Sequence, residues 1–206
     1  MMSGLMLIFL FIAIGFMIDV ESQKDKMKDV AISYRDSKAN LNEALYDEFE
    51  DNLKSWQADI TKDNRVVFNS PEVLFEVSKS TLKPEFKKIL KEFFPKYIKL
   101  LTSKQFKNEI KEVRVEGYTS NTWANSSSKK EIYLKNMKLS QNRAYEVLAY
   151  CYSLEDNITK SSRAWLEKFF RANGMAFSRL KEGKRARRVE FSVELNSENR
   201  VFEILK

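Results

Sequence analysis

A chain of 206 residues with 32% charged and 13% aromatic side chains has room for one ordinary folded domain plus extra elements, and this composition excludes global disorder. Its single cysteine, Cys151, rules out an intrachain disulfide, and the lack of histidine rules out histidine acid–base catalysis and histidine-ligated zinc. The net charge of +7 is uneven: residues 1–18 carry no charged side chain, residues 19–60 have 6 Lys/Arg against 11 Asp/Glu, and residues 61–206 have 30 against 18. An apolar start, an acidic spacer and a basic body are three physical regions. A basic body can meet nucleic acid, anionic lipid or an anionic wall polymer, depending on the side of a membrane it occupies.

Residues 1–18, MMSGLMLIFLFIAIGFMI, form an unbroken apolar run. As a helix it spans roughly 27 Å, close to the hydrocarbon thickness of a bilayer. No basic flank precedes it and no small-residue cleavage site follows. It reads as a single-pass anchor rather than a signal peptide or a buried core helix. Over residues 19–60, Val30, Tyr34, Leu41, Leu45, Phe49, Leu53 and Trp56 recur mainly at spacings of four, with no Pro or Gly between them. This predicts a helix with a narrow apolar stripe. Two uses fit it equally: a stalk or short coiled coil leaving the membrane, or a helix packed back on the domain.

Residues 65–68 and 73–75 are short β-prone runs around the turn signal Asn69-Ser70-Pro71. Pro84 followed by Glu85 marks a helix start, and Phe86, Ile89, Leu90, Phe93 and Phe94 give it a buried face. Pro95 is expected to kink or cap that helix, with residues 97–106 continuing it. A central strand is predicted over 110–119, where Val113 and Val115 alternate with Arg114 and Glu116. Residues 122–135 read as a loop, residues 139–152 as a helix with Ala144, Val147, Leu148 and Cys151 inward, and residues 162–172 as another helix ended by Asn173-Gly174. Cys151 reads as a small core residue, since nothing in the chain can act as its base. Residues 189–195, VEFSVEL, alternate as a half-buried strand, and 196–206 can form a last short element. From Arg65 the order is β-α-β-α-(α)-β. The fold class is α/β (α+β), a two-layer sandwich with helices on one face of the sheet.

The chemistry concentrates in two stretches. Gly117 allows a sharp exit from the central strand into Thr119, Ser120 and Asn121. Ser140 is expected near the first turn of the following helix, with Arg143 one turn on. Together they would place hydroxyls, amides and one guanidinium around a pocket suited to a small zwitterionic ligand whose carboxylate Arg143 grips. Glu112, Glu116 and Glu190 are the carboxylates a hydrolase would need. They lie on alternating strand faces and read as solvated residues, and no nucleophile–base pair is visible. No enzyme activity, cofactor or metal is expected.

The segments LFEVSKSTLKPEF, VEGYTSN, NMKLSQNRAYEV and RARRVEFSV resemble, in this order, the OmpA-like peptidoglycan-binding domain of outer-membrane anchors, Pal lipoproteins and MotB-type stator subunits, over about residues 66–195. The apolar start, the charged helix and the phrases FFPKYIKLL and IKEVRVEGYTS resemble a MotB-type B subunit, nearest those of Zorya antiphage defence motors. The resemblance implies an OmpA-C-like domain over 61–206, a transmembrane anchor over 1–18 and a helical periplasmic linker over 19–60. It implies an inner-membrane protein with its N-terminus cytoplasmic and its C-terminal domain periplasmic, clamping peptidoglycan non-covalently. The implied partners are a multi-span MotA/ZorA-like subunit and a second copy in a parallel homodimer. In that compartment the basic run 181–188 has no nucleic-acid partner, and a solvated turn or a wall contact replaces the phosphate reading.

Residue by residue, the resemblance assigns Arg143 to a carboxylate of diaminopimelate in the stem peptide. Asn136 and Leu139 match the positions ahead of it, and Gly117, Tyr118 and Thr119 match the tight turn. Arg187 and Arg188 match the arginines before the last strand, of which Arg188 can be structural. The implied peptidoglycan-binding set is Thr119, Ser120, Asn121, Asn136, Leu139, Arg143 and Arg187. Outer-membrane members carry Gly-His-Thr-Asp where this chain has Gly117-Tyr118-Thr119-Ser120. The carboxylate that would meet the ligand ammonium is therefore missing at Ser120, and a neutral acceptor is weaker. MotB-type subunits also carry an ion-binding membrane Asp, which the resemblance places just ahead of Met1. The expectation is a reading frame that extends upstream. Asp19 lies at the opposite end of the run, where a charge is cheap, and takes no ion-carrying role. The alternative is a passive membrane-to-wall tether of the OmpA/Pal type without ion conduction.

Overall fold

In the computed structural model, which describes residues 2–76, 78–123, 128–179 and 186–196, helix α1 runs over Met2–Trp56. Gln57, at φ 51°, ends it and turns the chain into strand β1, Ala58–Thr61. The predicted helix to residue 60 is thus too long. Ala58 and Ile60 alternate into the core, and a period of two over four residues is too short to stand out from a helical pattern. Two compact units divide the chain, one of Met1–Ser37 with Asn196–Lys206, the other of Lys38–Leu195.

In the first unit, the large apolar side chains from Met6 to Ile18 that the structure describes are exposed. Among the described residues, α1 is the one helix long and apolar enough to cross a membrane.

In the second unit, the end of α1 packs inward. Leu41, Leu45 and Phe49 are fully buried and Trp56 nearly so, at helical spacing. Phe49 and Trp56 lie 5.1 and 6.0 Å, centroid to centroid, from Phe93 of helix α3, Pro84–Leu101. Asn42 and Tyr46 donate to the carbonyls of Thr61 and Ile60, at 2.8 and 2.7 Å, and tie the helix to β1. Of the two uses open to residues 19–60, residues 41–56 therefore take the packed one. Pro95 lies inside α3, which runs through it to Leu101.

Among the described residues, five strands form one sheet in the order β1-β2-β5-β3-β4, with β2 Arg65–Phe68, β3 Ile110–Gly117, β4 Phe170–Gly174 and β5 Val189–Leu195. Every pairing is antiparallel except β3 with β4. A parallel pair needs a long crossover, here α4 (Lys129–Tyr152), α5 (Asn157–Ser161) and α6 (Arg163–Phe169). Strand β4 corrects the reading of 170–172 as helix with a terminator at 173–174. α4 starts ten residues before the expected start at 139, so half of the predicted loop is helix and Ser140 sits mid-helix. Ser128 caps α4 by accepting from the Glu131 amide, and Ser-x-x-Glu was the signal for that start. The expected strand at 73–75 is the one-turn helix α2, Pro71–Leu74, followed by a bridge from Phe75 to Leu82. The element expected over 196–206 lies outside the described residues beyond Asn196.

β5 is the centre of the core. Phe191 meets Phe93, Tyr97 and Phe68 at ring-centroid distances of 5.0, 5.7 and 6.0 Å. Burying each such ring is worth about 1.5–3 kcal/mol. Val113, Val115, Val189 and Phe191 share the face that carries the helices, and Cys151 is buried with them in the core, its thiol pushed up by burial. The sandwich expectation holds, with one hairpin strand and one parallel edge strand more than the sequence disclosed.

Candidate functional site

The C-terminal end of β3 presses on α4. A Cβ on Gly117 would stand 2.4 Å from the Ser140 carbonyl oxygen, so only glycine fits this approach. Gly174, at the end of β4, is as close to Gln141, with a Cβ position 2.6 Å from its amide nitrogen. Side chains of α4 then latch the end of β4 and the residue two beyond it. The Ser140 hydroxyl accepts from the Ala176 amide at 3.0 Å, and Gln141 accepts from the Gly174 amide at 2.6 Å and donates to the Ala172 carbonyl at 3.1 Å. The Thr119 amide donates to the Ala176 carbonyl at 2.8 Å. Ser140 and Gln141, inside the LSQNRA stretch, are therefore structural.

Arg143 lies one turn further along α4 and is 6% exposed. Its Nε donates to the Lys79 carbonyl at 2.9 Å, and its guanidinium carbon stands 4.8 Å from the centroid of the Phe75 ring. No carboxylate pairs with it among the described residues. Burial, with the charge of Arg187, pushes its pKa down to about 10. At neutral pH it is a buried cation with no ion-paired carboxylate among the described residues, a costly arrangement that an arriving anionic group relieves.

A cavity of about 230 Å3 opens on this guanidinium, lined by Leu74, Phe75, Lys83, Arg143, Arg187 and Arg188, with Glu72 and Glu76. Two of the sequence-assigned residues, Arg143 and Arg187, are thus brought together. Thr119, Ser120, Asn121, Asn136 and Leu139 do not line it. Thr119 is buried beneath Ala176, its hydroxyl without a hydrogen-bond partner, while Ser120 is half-buried and Asn121 exposed. Asn136 is buried and donates to Ile132 and Thr122 carbonyls at 3.0 and 3.5 Å, and Leu139 is half-buried. The opposite wall of Glu72, Leu74, Phe75, Glu76 and Lys83 lies mostly in the LFEVSKSTLKPEF stretch, which carries the resemblance but to which the resemblance assigns no site residue.

The far face of the sheet corrects the reading of Glu116 and Glu190 as solvated. They are 2% and 3% exposed. One Arg65 nitrogen donates to both, at 2.6 and 2.9 Å. Burial pulls the Arg65 guanidinium down, and the two carboxylates outweigh it, so its pKa is raised overall. Tyr118 donates to Glu116 at 2.7 Å, and burial and both glutamates push that phenol up. Arg188, 1% exposed, donates from Nε to Glu190 at 2.5 Å and lies 3.7 Å over the Tyr118 ring. Buried carboxylates neutralised this way are saturated acceptors, not free acids or bases. Among the described residues no group of three or more Cys, Asp or Glu side chains could hold a metal ion.

The OmpA family pattern matches residues 74–188, which covers the cavity's arginines, strand β3 and helix α4. The Zorya protein ZorB of Escherichia coli strain Crooks is 38% identical over 214 aligned positions, spanning 100% of this chain and 89% of that protein. The chain belongs to the OmpA family, among its ZorB members. A second Zorya protein ZorB, from an Escherichia coli ETEC strain, is 28% identical over 137 positions, spanning 64% of this chain and 52% of that one. The periplasmic domain of Helicobacter pylori MotB is 17% identical, with a TM-score of 0.45 over 72% of this chain and 95% of that one. In this ZorB-type chain Ser140 and Gln141 hold the end of β4, and Arg143 lines the cavity.

Proposed function

We infer that this chain is the wall-clamping B subunit of a MotB-type, ion-driven membrane motor of the Zorya antiphage kind. The observation that carries the wall-binding half is Arg143. A charged side chain buried to this degree, with no carboxylate partner among the described residues, favours an anionic group in the cavity beside it. A diaminopimelate stem peptide supplies such a carboxylate. Arg187 adds positive charge at the mouth, and Phe75 gives the guanidinium a flat support. The clamp does no covalent chemistry. Thr119, Ser120, Asn121, Asn136 and Leu139 shape the strand end and the helix beside the cavity, and the exposed ones can meet the rest of the stem.

Anchoring is supported by the exposed apolar run at the start of α1. In water, a run of large apolar side chains would be strongly disfavoured, and a bilayer removes that cost. The motor half rests on the ZorB likeness. It requires a single-pass inner-membrane topology with a periplasmic domain, a multi-span ZorA-like partner and a parallel homodimer. The test is a pull-down of the detergent-solubilised full chain on purified sacculi, with Arg143→Ala alongside. Loss of binding in the variant, with an unchanged melting temperature, is the expected result. Undiminished binding refutes the clamp. Co-purification with the multi-span subunit separates a motor component from a passive tether.

A further inference from the structure

The walls of the Arg143 cavity carry charges of both signs. Arg143 comes from α4, Arg187 and Arg188 from the approach to β5, and Glu72 and Glu76 from α2 and the residues just after it. A simple anion gains nothing from two carboxylates beside its arginines, because each weakens the pull on it. A zwitterion gains from both signs. Ser120, where OmpA-like relatives place the ammonium acceptor, is uncharged and does not line this cavity.

We propose that Glu72 and Glu76 form the ammonium-accepting wall of the site, so that one amino-acid centre is held with its carboxylate on Arg143 and its ammonium on this acidic pair. The proposal rests on the wall-clamp reading and adds to it the source of specificity. The geometry supports it in two ways. Phe75, adjacent to Glu76, lies against the Arg143 guanidinium, and Arg143 donates to the Lys79 carbonyl, so the acidic segment and the arginine are fixed to each other. Lys83 donates to the Glu72 carbonyl and holds the other end of the segment. Glu76 is ionised, its pKa lowered by the bond from Lys79, and that pair is exposed at 2.6 Å. An exposed i,i+3 pair is weak and exchanges readily for a ligand ammonium.

The test uses the full chain in detergent micelles and two probes. One is the tripeptide L-Ala-γ-D-Glu-meso-diaminopimelate. The other is the same peptide with its free distal amino group acetylated. Calorimetric titration of the unaltered chain should give about tenfold weaker binding for the acetylated probe. The double variant Glu72→Gln, Glu76→Gln should bind the free-amine probe about tenfold more weakly and lose nothing further on acetylation. Ser120→Ala should keep the tenfold difference between the two probes. Both glutamates are exposed, so the double variant should keep its melting temperature. If it binds the free-amine probe undiminished, or loses as much on acetylation as the unaltered chain, the acidic wall is wrong. If Ser120→Ala abolishes the difference between the two probes instead, the ammonium lies at the turn. Should Arg143→Ala lose binding while the double variant does not, the clamp stands without the acidic wall. No binding by the unaltered chain overturns both.

Discussion

Arg143 and Arg188 line one cavity and are both buried, yet they live in opposite electrostatic circumstances. Arg188 has Glu190 at 2.5 Å and the Tyr118 ring at 3.7 Å, and Arg65 and Glu116 extend that network across the sheet. Arg143 has one carbonyl and one ring. A buried charge with its counterion is part of the fold. A buried charge without one is held ready for a ligand. The difference arises in the backbone: Arg188 enters a central strand whose next outward residue is Glu190, whereas Arg143 projects from a helix onto the Lys79 carbonyl and the Phe75 ring, with Glu72 and Glu76 elsewhere in the cavity wall.

The comparison breaks most sharply at Glu190. Glu190→Gln removes the carboxylate that neutralises Arg188 and shares Arg65. It should lower unfolding free energy by about 3 kcal/mol or more, read from chemical denaturation. An effect below about 1 kcal/mol would mean that the network is not structural. Arg143→Ala should do the reverse. Sacculus or stem-peptide affinity should fall about a hundredfold, while stability shifts by no more than about 1 kcal/mol, because an uncompensated charge has been removed. Arg143→Lys sharpens the point. It keeps the charge and loses the planar fork, so about tenfold of affinity should go.

The smallest effects come in alkali, and they differ in sign. Arg143 has a folded pKa of about 10, below its ordinary value. As pH rises through that value the cation is lost, and ligand binding should fall with it. For stability the same group acts the other way, since the unfolded chain keeps a proton the folded chain has released. Tyr97 and Tyr118 are pushed up, by burial first, and for Tyr118 also by Glu190 and Glu116. They stay neutral in the folded chain while the unfolded chain ionises near pH 10. Their contribution is intact below that pH and lost above it. Each group changes stability by about 1.4 kcal/mol per pH unit. Two tyrosines oppose one arginine, so net stability should decline above pH 10. The exposed tyrosines Tyr34, Tyr46, Tyr133 and Tyr145 give phenolate absorbance at 295 nm in the folded chain, and the share that Tyr97→Phe or Tyr118→Phe removes should appear only on unfolding. Loss of folded-state signal in either variant would contradict the burial of these rings.

Several elements were legible in the residues. The alternation of β5, the Pro84-Glu85 start of α3, the apolar run at the start of the chain and the LSQNRA and RARRVEF stretches marked their elements and both arginines of the site. Each is a local pattern, repeated often enough to declare a period or a motif. Other features left no such trace. Gln57 leaves the helix with a positive φ and no glycine, so the end of α1 and strand β1 were hidden. β4 is five residues long and becomes a strand only by pairing in parallel with β3. Glu116 and Glu190 have the spacing of solvated strand residues; Arg188 stands two residues from Glu190, but only the arrival of Arg65 from elsewhere in the chain joins both carboxylates in one neutralised network. The sequence by itself determined which segments are apolar, which alternate and which arginine stands in a ligand-type motif, because these are properties of neighbours along the chain. Tertiary structure alone decided which arginine finds a counterion and which wall faces the other, because charge pairing depends on distances between segments that the chain brings together only on folding.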